Sequence, residues 1–153
     1  MTTSLQRGPT LTPPDGARAR TALLLLTLAL AGRAMTLAFI GDVGGSSPSD
    51  PPDAWLMPLI GDAVVGIAAL PVAYLVARGR GTTAWAAIVV WNAIGIWDAL
   101  SAWLVNEQTP WPEFFMLELF GESMFFAASA MHGVALVILF RPAVRRQLFD
   151  TDG

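Results

Sequence analysis

The stretch that decides the fold runs over residues 84–105 and reads AWAAIVVWNAIGIWDALSAWLV, with Asp98 as its single charged side chain. A helix of about 20 apolar residues crosses the roughly 30 Å hydrocarbon core of a bilayer. The composition of the whole chain agrees, because 54% of its 153 residues are hydrophobic, only 14% are charged, and the mean hydropathy is +0.55. These values exceed those of ordinary soluble domains, so the sequence predicts a membrane protein.

Three further runs of the chain are similarly apolar, and residues that favour turns separate the four runs. Each run is close to the length that a membrane-crossing helix needs. We therefore expect an all-α polytopic membrane protein, a four-transmembrane-helix bundle that occupies residues 21–140. The predicted spans are about 21–40, 56–77, 84–105 and 123–140, and Thr82 and Thr83 are the predicted N-cap residues of the third span.

The segments outside the spans differ in composition. We expect a mobile cytoplasmic amino-terminal segment over residues 1–20 and a cytoplasmic basic tail over residues 141–153, mobile after about Phe149. Between residues 111 and 121, aromatic and aliphatic side chains are interleaved with Glu113 and Glu118. This pattern is typical of a helix in the membrane interface, or of an outward extension of the fourth span.

The arginines are distributed unevenly between the connections, and this predicts the orientation. The amino-terminal segment, the second connection and the tail hold eight arginines, whereas the first and third connections hold none. Because basic residues accumulate on the cytoplasmic side, both termini are predicted to be cytoplasmic. The eight are Arg7, Arg18, Arg20, Arg78, Arg80, Arg141, Arg145 and Arg146.

The first span also resembles a secretory signal peptide. Arg18 and Arg20 precede four consecutive leucines at residues 23–26, and the small residues Ala29 and Ala31 follow. Cleavage there would leave three spans with unchanged orientation. Retention of the span is the favoured alternative, because apolar residues continue beyond the length that a signal peptide needs.

Charged residues occur inside three of the predicted spans: Arg33, Asp62 and Asp98. At 1.5 Å of helical rise per residue, each lies about 10 Å inside the outer end of its helix, so the three are predicted to share one layer. Asn92 and His132 are predicted to form a second, uncharged layer near the midplane. The separation of the layers argues against direct contact between Asp98 and His132.

A charge in hydrocarbon costs several kcal/mol unless it is paired or hydrated. The favoured interpretation is a buried ionic network in which Arg33 bridges both carboxylates and defines the helix register. Two alternatives remain open: one carboxylate takes a proton in a transport or binding cycle, or Arg33 extends outward to the interface. The polar-network or binding candidates are Arg33, Asp62, Asn92, Asp98 and His132; no catalytic or metal-binding residue is assigned.

His132 is the only histidine of the chain. Its favoured role is an interhelical hydrogen bond to Asn92. A haem ligand is the alternative, with the second axial position filled by Met124, Met131 or another subunit. Zinc is disfavoured because it needs several nitrogen or sulfur ligands and the chain has no cysteine. No cofactor is favoured.

The six tryptophans form two groups. Those near predicted span ends are expected to anchor the helices in the membrane interface, where the indole ring is apolar and its N–H can bond to headgroups. The deeper ones are expected to take part in helix packing, with the wall of a ligand cavity as the alternative. The interface group is Trp55, Trp85, Trp103 and Trp111, and the deeper pair is Trp91 and Trp97.

The third span contains a Trp-Asn-x-x-Gly-x-x-Asp element, formed by Trp91, Asn92, Gly95 and Asp98, and His132 follows in the fourth span. In these features, and over about residues 20–146, the chain resembles a family of small uncharacterised bacterial integral membrane proteins. The chain departs from the family in having no proline before the histidine. The resemblance implies four spans and supports the choice of site residues, and it implies no particular activity.

No enzyme motif is present in the sequence, so catalysis is disfavoured although left open. We expect a structural or accessory protein, or a small-ligand-binding bundle with a buried polar network. The alternatives are a proton-coupled small-solute carrier or channel, and a haem- or quinone-binding membrane protein. The expected partners are the lipid bilayer of a bacterial inner membrane and a homo-oligomer or larger membrane complex. No nucleic acid is expected, because the sequence has no basic patch for its phosphates.

Overall fold

The computed structural model describes residues 13–111 and 113–149, and every regular element in this part of the chain is helical. A 3₁₀ segment, Ala31–Asp42, continues the first helix, and a short 3₁₀ turn, Asp53–Trp55, precedes the second. The α-helices are α1 (Pro13–Leu30), α2 (Leu56–Arg78), α3 (Gly81–Gln108), α4 (Phe115–Phe120), α5 (Ser123–Leu139) and α6 (Pro142–Phe149).

Three helical stretches among the described residues are long and apolar enough to cross a membrane: Gly16–Asp42, Asp53–Arg78 and Gly81–Gln108. α5 meets the same test only together with α6, and the two are bent by 79° relative to one another. The chain is therefore all-α, with three such helices, or four if α5 and α6 count as one span.

The outward faces of these helices are apolar. Leu25, Leu70, Trp97 and Val137 are each more than 60% exposed, and many other large apolar side chains point away from the bundle. A water-soluble monomer rarely exposes so continuous an apolar surface, whereas hydrocarbon solvates it at no cost. The helices therefore indicate a membrane-embedded protein.

Both ends of the described chain are more helical than the sequence predicted. α1 begins at Pro13, so residues 13–20 are helical where a mobile segment was predicted. α6 packs against the bundle and buries Val144, Leu148 and Phe149, while its arginines stay exposed. The tail thus begins with an amphipathic helix, which is too short to show a clear apolar period in sequence. The rest of the two predicted mobile segments, 1–12 and 150–153, lies outside the described residues.

The first span changes from α-helix to 3₁₀ helix at Ala31. Because a 3₁₀ helix rises about 2.0 Å per residue instead of about 1.5 Å, the segment extends about 6 Å further than the same residues in an α-helix. It packs along α2, where Gly66 has no side chain that would collide with the backbone of Ala34. The tighter winding also places Arg33 and Thr36, three residues apart, on one face of the segment.

Two residues in extended conformation, Gly79 and Arg80, connect α2 to α3. The Gly79 N–H donates to a carbonyl of the last turn of α2 at 2.7 Å, and a side chain at this position would collide with that carbonyl. α3 begins at Gly81, whose φ of +82° favours glycine, and its N-cap residue is Arg80. The predicted N-cap role of Thr82 and Thr83 is therefore wrong.

Two apolar clusters hold the helices together. The larger one joins α1, α2, α3, α5 and α6 and includes the fully buried Leu23, Ile88 and Leu139. The smaller one is mainly aromatic, and lies at the end of the bundle where α2 begins. Its members include Phe39, Trp55, Trp111, Phe114 and Phe125, and its closest ring pair, Trp111 and Phe114, is stacked at 4.7 Å between centroids.

The aromatic cluster corrects the prediction for two tryptophans. Trp55 and Trp111 are each 2% exposed, so they are not interface anchors. The Trp55 indole N–H donates to the carbonyl oxygen of Thr109 at 2.8 Å, and the Trp111 indole N–H donates to that of Ser49 at 3.0 Å. Both rings therefore close loops at the end of the bundle, a role that depends on contacts between residues more than 50 positions apart.

Candidate functional site

Arg33, in the 3₁₀ segment, is the centre of a polar network that reaches three other helices. Its Nε donates to Asp62 Oδ1 of α2 at 2.5 Å, and its Nη2 forms ion pairs with both Asp62 and Asp98. Its Nη1 lies 3.3 Å from the Gly95 carbonyl oxygen of α3 and 3.3 Å from His132 Nε2 of α5. One side chain of the first span thus links α2, α3 and α5.

The network holds more acid than base. One guanidinium faces two carboxylates, and the same Nη2 atom of Arg33 pairs with both Asp62 and Asp98. The side chains of Arg33, Asp62 and Asp98 are 11%, 19% and 13% exposed, so little solvent screens the charges. The network therefore has one carboxylate more than a single guanidinium can balance.

His132 continues the network toward the middle of α3. Its Nδ1 lies 3.0 Å from Asn92 Oδ1, and the Asn92 amide donates to the Ile88 carbonyl oxygen at 2.8 Å. Because a guanidinium can only donate, His132 Nε2 accepts from Arg33 and the ring proton of a neutral His132 lies on Nδ1, which donates to Asn92. The ring is fully buried and packs edge-on against Trp91 with centroids 5.0 Å apart.

Two glycines make room for these side chains. A Cβ atom on Gly95 would collide with the His132 ring, and a Cβ atom on Gly61 would collide with the Asp98 carboxylate. The absence of a side chain at both positions therefore lets α5 approach α3, and lets α3 approach α2, at the level of the network.

Thr36 is a member of the site that the sequence did not indicate. It is 3% exposed, and its hydroxyl lies 2.9 Å from the Arg33 carbonyl oxygen and 3.0 Å from the Leu59 carbonyl oxygen of α2. The hydroxyl therefore fastens the 3₁₀ segment to α2 one turn from Arg33. A threonine in an apolar span gives no sequence signal for such a bond, because threonine is common in membrane helices.

The structure brings together all five residues that the sequence singled out. The expected contact between His132 and Asn92 is confirmed, and so is the bridging of Asp62 and Asp98 by Arg33. The alternative in which Arg33 extends to the interface is wrong, since its guanidinium points into the bundle. The two predicted layers are connected to one another, because Arg33 is long enough to contact both.

A cavity of about 380 Å³ lies beside the network, between the 3₁₀ segment, α4 and α5. Arg33, Thr36 and Asp62 form a polar part of its wall, and the rest of the wall is apolar or small. Some lining residues, among them Ala29 and Ala127, are exposed on the outer face of the bundle, so the cavity opens sideways between helices.

Four of the six methionines of the chain line this cavity: Met35, Met116, Met124 and Met131. Methionine is unbranched and polarisable, so a wall built from it adapts to ligands of different shape. The sequence gives no sign of the cavity, because these methionines come from three separate elements and no spacing along the chain relates them.

The geometry does not favour a metal or haem centre at His132. Among the described residues, no three His, Cys, Asp or Glu side chains are grouped as a metal site requires. Both ring nitrogens of His132 already have polar neighbours, and the ring is not part of the cavity wall. An axial haem ligand needs a free nitrogen facing a space that holds the macrocycle.

The fold and the site indicate a membrane-embedded helical protein with a buried ionic network and a lateral cavity. No protein-family model, no curated protein and no solved structure matches this chain. The site itself must therefore support any functional conclusion.

Proposed function

We propose that this chain is a four-span bundle of the bacterial inner membrane that binds a small, largely apolar molecule in the lateral cavity. The observation that carries the proposal is the composition of the cavity wall, in which four methionines surround a polar patch made by Arg33 and Asp62. Ligand sites typically combine an apolar lining with a few polar groups that orient the ligand. The family resemblance of the third span is consistent with this membrane location.

The proposed topology has α5 as the fourth span and both termini in the cytoplasm. α5 has 17 residues and extends about 25 Å, which spans a bilayer that is locally thinned. The described arginines outside the network lie at one end of the helices and the acids of the connections at the other, as the positive-inside rule requires. α6 then lies along the cytoplasmic surface, with its arginines outward.

Two regions of the cavity wall hold the ligand, one apolar and one polar. Its apolar body contacts the methionines and the small residues Ala127 and Ala128 of α5. Its polar group faces Asp62 and Arg33, whose side chains remain partly exposed. A quinone or an alcohol-bearing lipid has this combination of an apolar body and one hydrogen-bonding end.

A direct test compares two tryptophan substitutions on α5. Ala127 lines the cavity, whereas Ala130, also exposed, does not. We expect the intact chain in mild neutral detergent to bind the apolar dye Nile red with one-to-one stoichiometry. Ala127→Trp fills the cavity and abolishes this binding, and Ala130→Trp leaves it unchanged. Equal binding by the two variants would show that the dye binds elsewhere and would remove the main support for the proposal.

A second candidate is a proton-coupled carrier, and the position of Asp62 favours it. Asp62 lies both in the cavity wall and in the network, where two carboxylates share one guanidinium. A proton accepted by one carboxylate would relieve the excess negative charge and couple ligand binding to protonation. For a carrier, Asp98→Asn in proteoliposomes retains Nile red binding but loses the dependence of substrate uptake on a proton gradient. For a simple binding protein, no gradient-dependent uptake occurs in the parent chain.

A further inference from the structure

A second concavity, of about 380 Å³, lies at the other end of α2 from the aromatic cluster. Its lining comes from α1, from the last turn of α2, and from the connection to α3. Arg20, Arg78 and Arg80 are three of its five lining residues, and the other two are Ala77 and Gly79. The described lining therefore contains three positive charges and no acid.

Arg78 and Arg80 flank a single residue at the turn between α2 and α3, whereas Arg20 is distant from both in sequence. Gly79 and Arg80 are the whole of this connection, and the Gly79 N–H is bonded back to α2 at 2.7 Å. Arg78 and Arg80 are thus fixed on either side of a glycine that has no room for a side chain. Arg20 approaches from α1, so the concavity exists only when α1 is docked on α2.

Two further features favour an anion in this place. The Nε of Arg20 is buried and has no hydrogen-bond partner among residues 13–111 and 113–149, although buried donors are normally bonded. α3 begins directly beside the concavity, and no side chain caps its first turn. The free N–H groups and the dipole at the start of a long helix attract negative charge.

We infer that this concavity binds a phosphate group. A phosphate presents several oxygen acceptors to the guanidinium groups, which bind such oxygens in pairs, and its charge is opposite to that of the lining. Basic pockets between membrane helices on the arginine-rich side bind the headgroups of anionic lipids in the same way. The group is either the headgroup phosphate of a phospholipid or a free phosphate ion. The inference is independent of the methionine-lined cavity.

The test is native mass spectrometry of the full chain in a neutral detergent, with phosphatidylglycerol and with diacylglycerol, which lacks the phosphate. We expect phosphatidylglycerol to be retained and diacylglycerol to be lost. The double variant Arg78→Gln, Arg80→Gln weakens the retention about 25-fold, at about fivefold for each arginine. Both side chains are exposed, so the fold is expected to persist, and the elution volume and circular dichroism verify it.

The matched control is the double variant Arg145→Gln, Arg146→Gln, which removes the same charge from α6 outside this concavity. It is expected to retain phosphatidylglycerol within about twofold of the parent, because these exposed arginines do not line the concavity and salt screens their charge. Equal retention of the two lipids, absence of phosphatidylglycerol retention, or an equal loss in both double variants would overturn the inference.

Inorganic phosphate distinguishes the two sources of the group. If millimolar phosphate displaces phosphatidylglycerol and raises the melting temperature of the parent but not of the Arg78→Gln, Arg80→Gln variant, the site takes free phosphate. If phosphate does neither while the lipid is retained, the site takes a lipid headgroup. Both outcomes support a phosphate site.

Discussion

Removal of the Arg33 guanidinium should destabilise the protein more than removal of either acid. In Arg33→Gln, the carboxylates of Asp62 and Asp98, which both pair with Nη2, face one another with no positive charge between them. His132 Nε2 also loses its donor. In Asp98→Asn, by contrast, one guanidinium still faces one carboxylate.

The magnitudes follow from burial. Breaking a buried ion pair by removing one partner costs about 3–5 kcal/mol. The three side chains are between 11% and 19% exposed, so we take the lower end of this range, about 3 kcal/mol, for Arg33→Gln. Asp98→Asn replaces the ion pair with Arg33 by a hydrogen bond from the charged guanidinium to a neutral amide oxygen, which costs about 1 kcal/mol. In the Asp98→Asn background, Arg33→Gln should cost less, because only one carboxylate is left unpaired.

The assay is reversible unfolding by SDS in mixed micelles, followed by the fluorescence of the six tryptophans. Arg146→Gln, an exposed arginine of α6, is the control for loss of one positive charge and should change the free energy of unfolding by less than about 0.5 kcal/mol. The reasoning is refuted if Arg33→Gln is no more destabilising than Asp98→Asn, or if its cost is the same in the presence and absence of Asp98→Asn.

Two further outcomes test the packing at the network and at the aromatic cluster. Gly95→Ala should lower the free energy of unfolding by about 1–3 kcal/mol because the new methyl group meets the His132 ring, whereas Gly133→Ala, with open space around its Cβ position, should be neutral in the same SDS assay. Trp111→Phe should expose the loop that its indole N–H closes onto Ser49, and limited proteolysis in detergent should then cut near that loop faster than in the parent, at about a tenfold higher rate for a lost bond of about 1.4 kcal/mol. An unchanged rate of cleavage would mean that the aromatic stacking alone holds the loop.

The positions of the apolar helices and of their charges could be predicted from the sequence. The predicted third span, 84–105, lies within α3, and the predicted fourth span, 123–140, differs from α5 by one residue. Asp62 and Asp98 could be identified because a charge in an apolar run is conspicuous, and helical rise places them at one level. Helix length and hydropathy are local properties, so they can be predicted without knowledge of the fold.

Only the tertiary structure decided which side chains of these helices contact one another. Arg33 joins the two predicted layers because its long side chain enters from a 3₁₀ segment, and the rise and winding of that segment follow from packing on α2. Trp55 and Trp111 are buried because loops distant in sequence fold over them. The methionine-lined cavity and the arginine-lined concavity are likewise built from residues of separate elements. Such contacts depend on distances between helices, and the sequence pattern of each single helix carries no information about those distances.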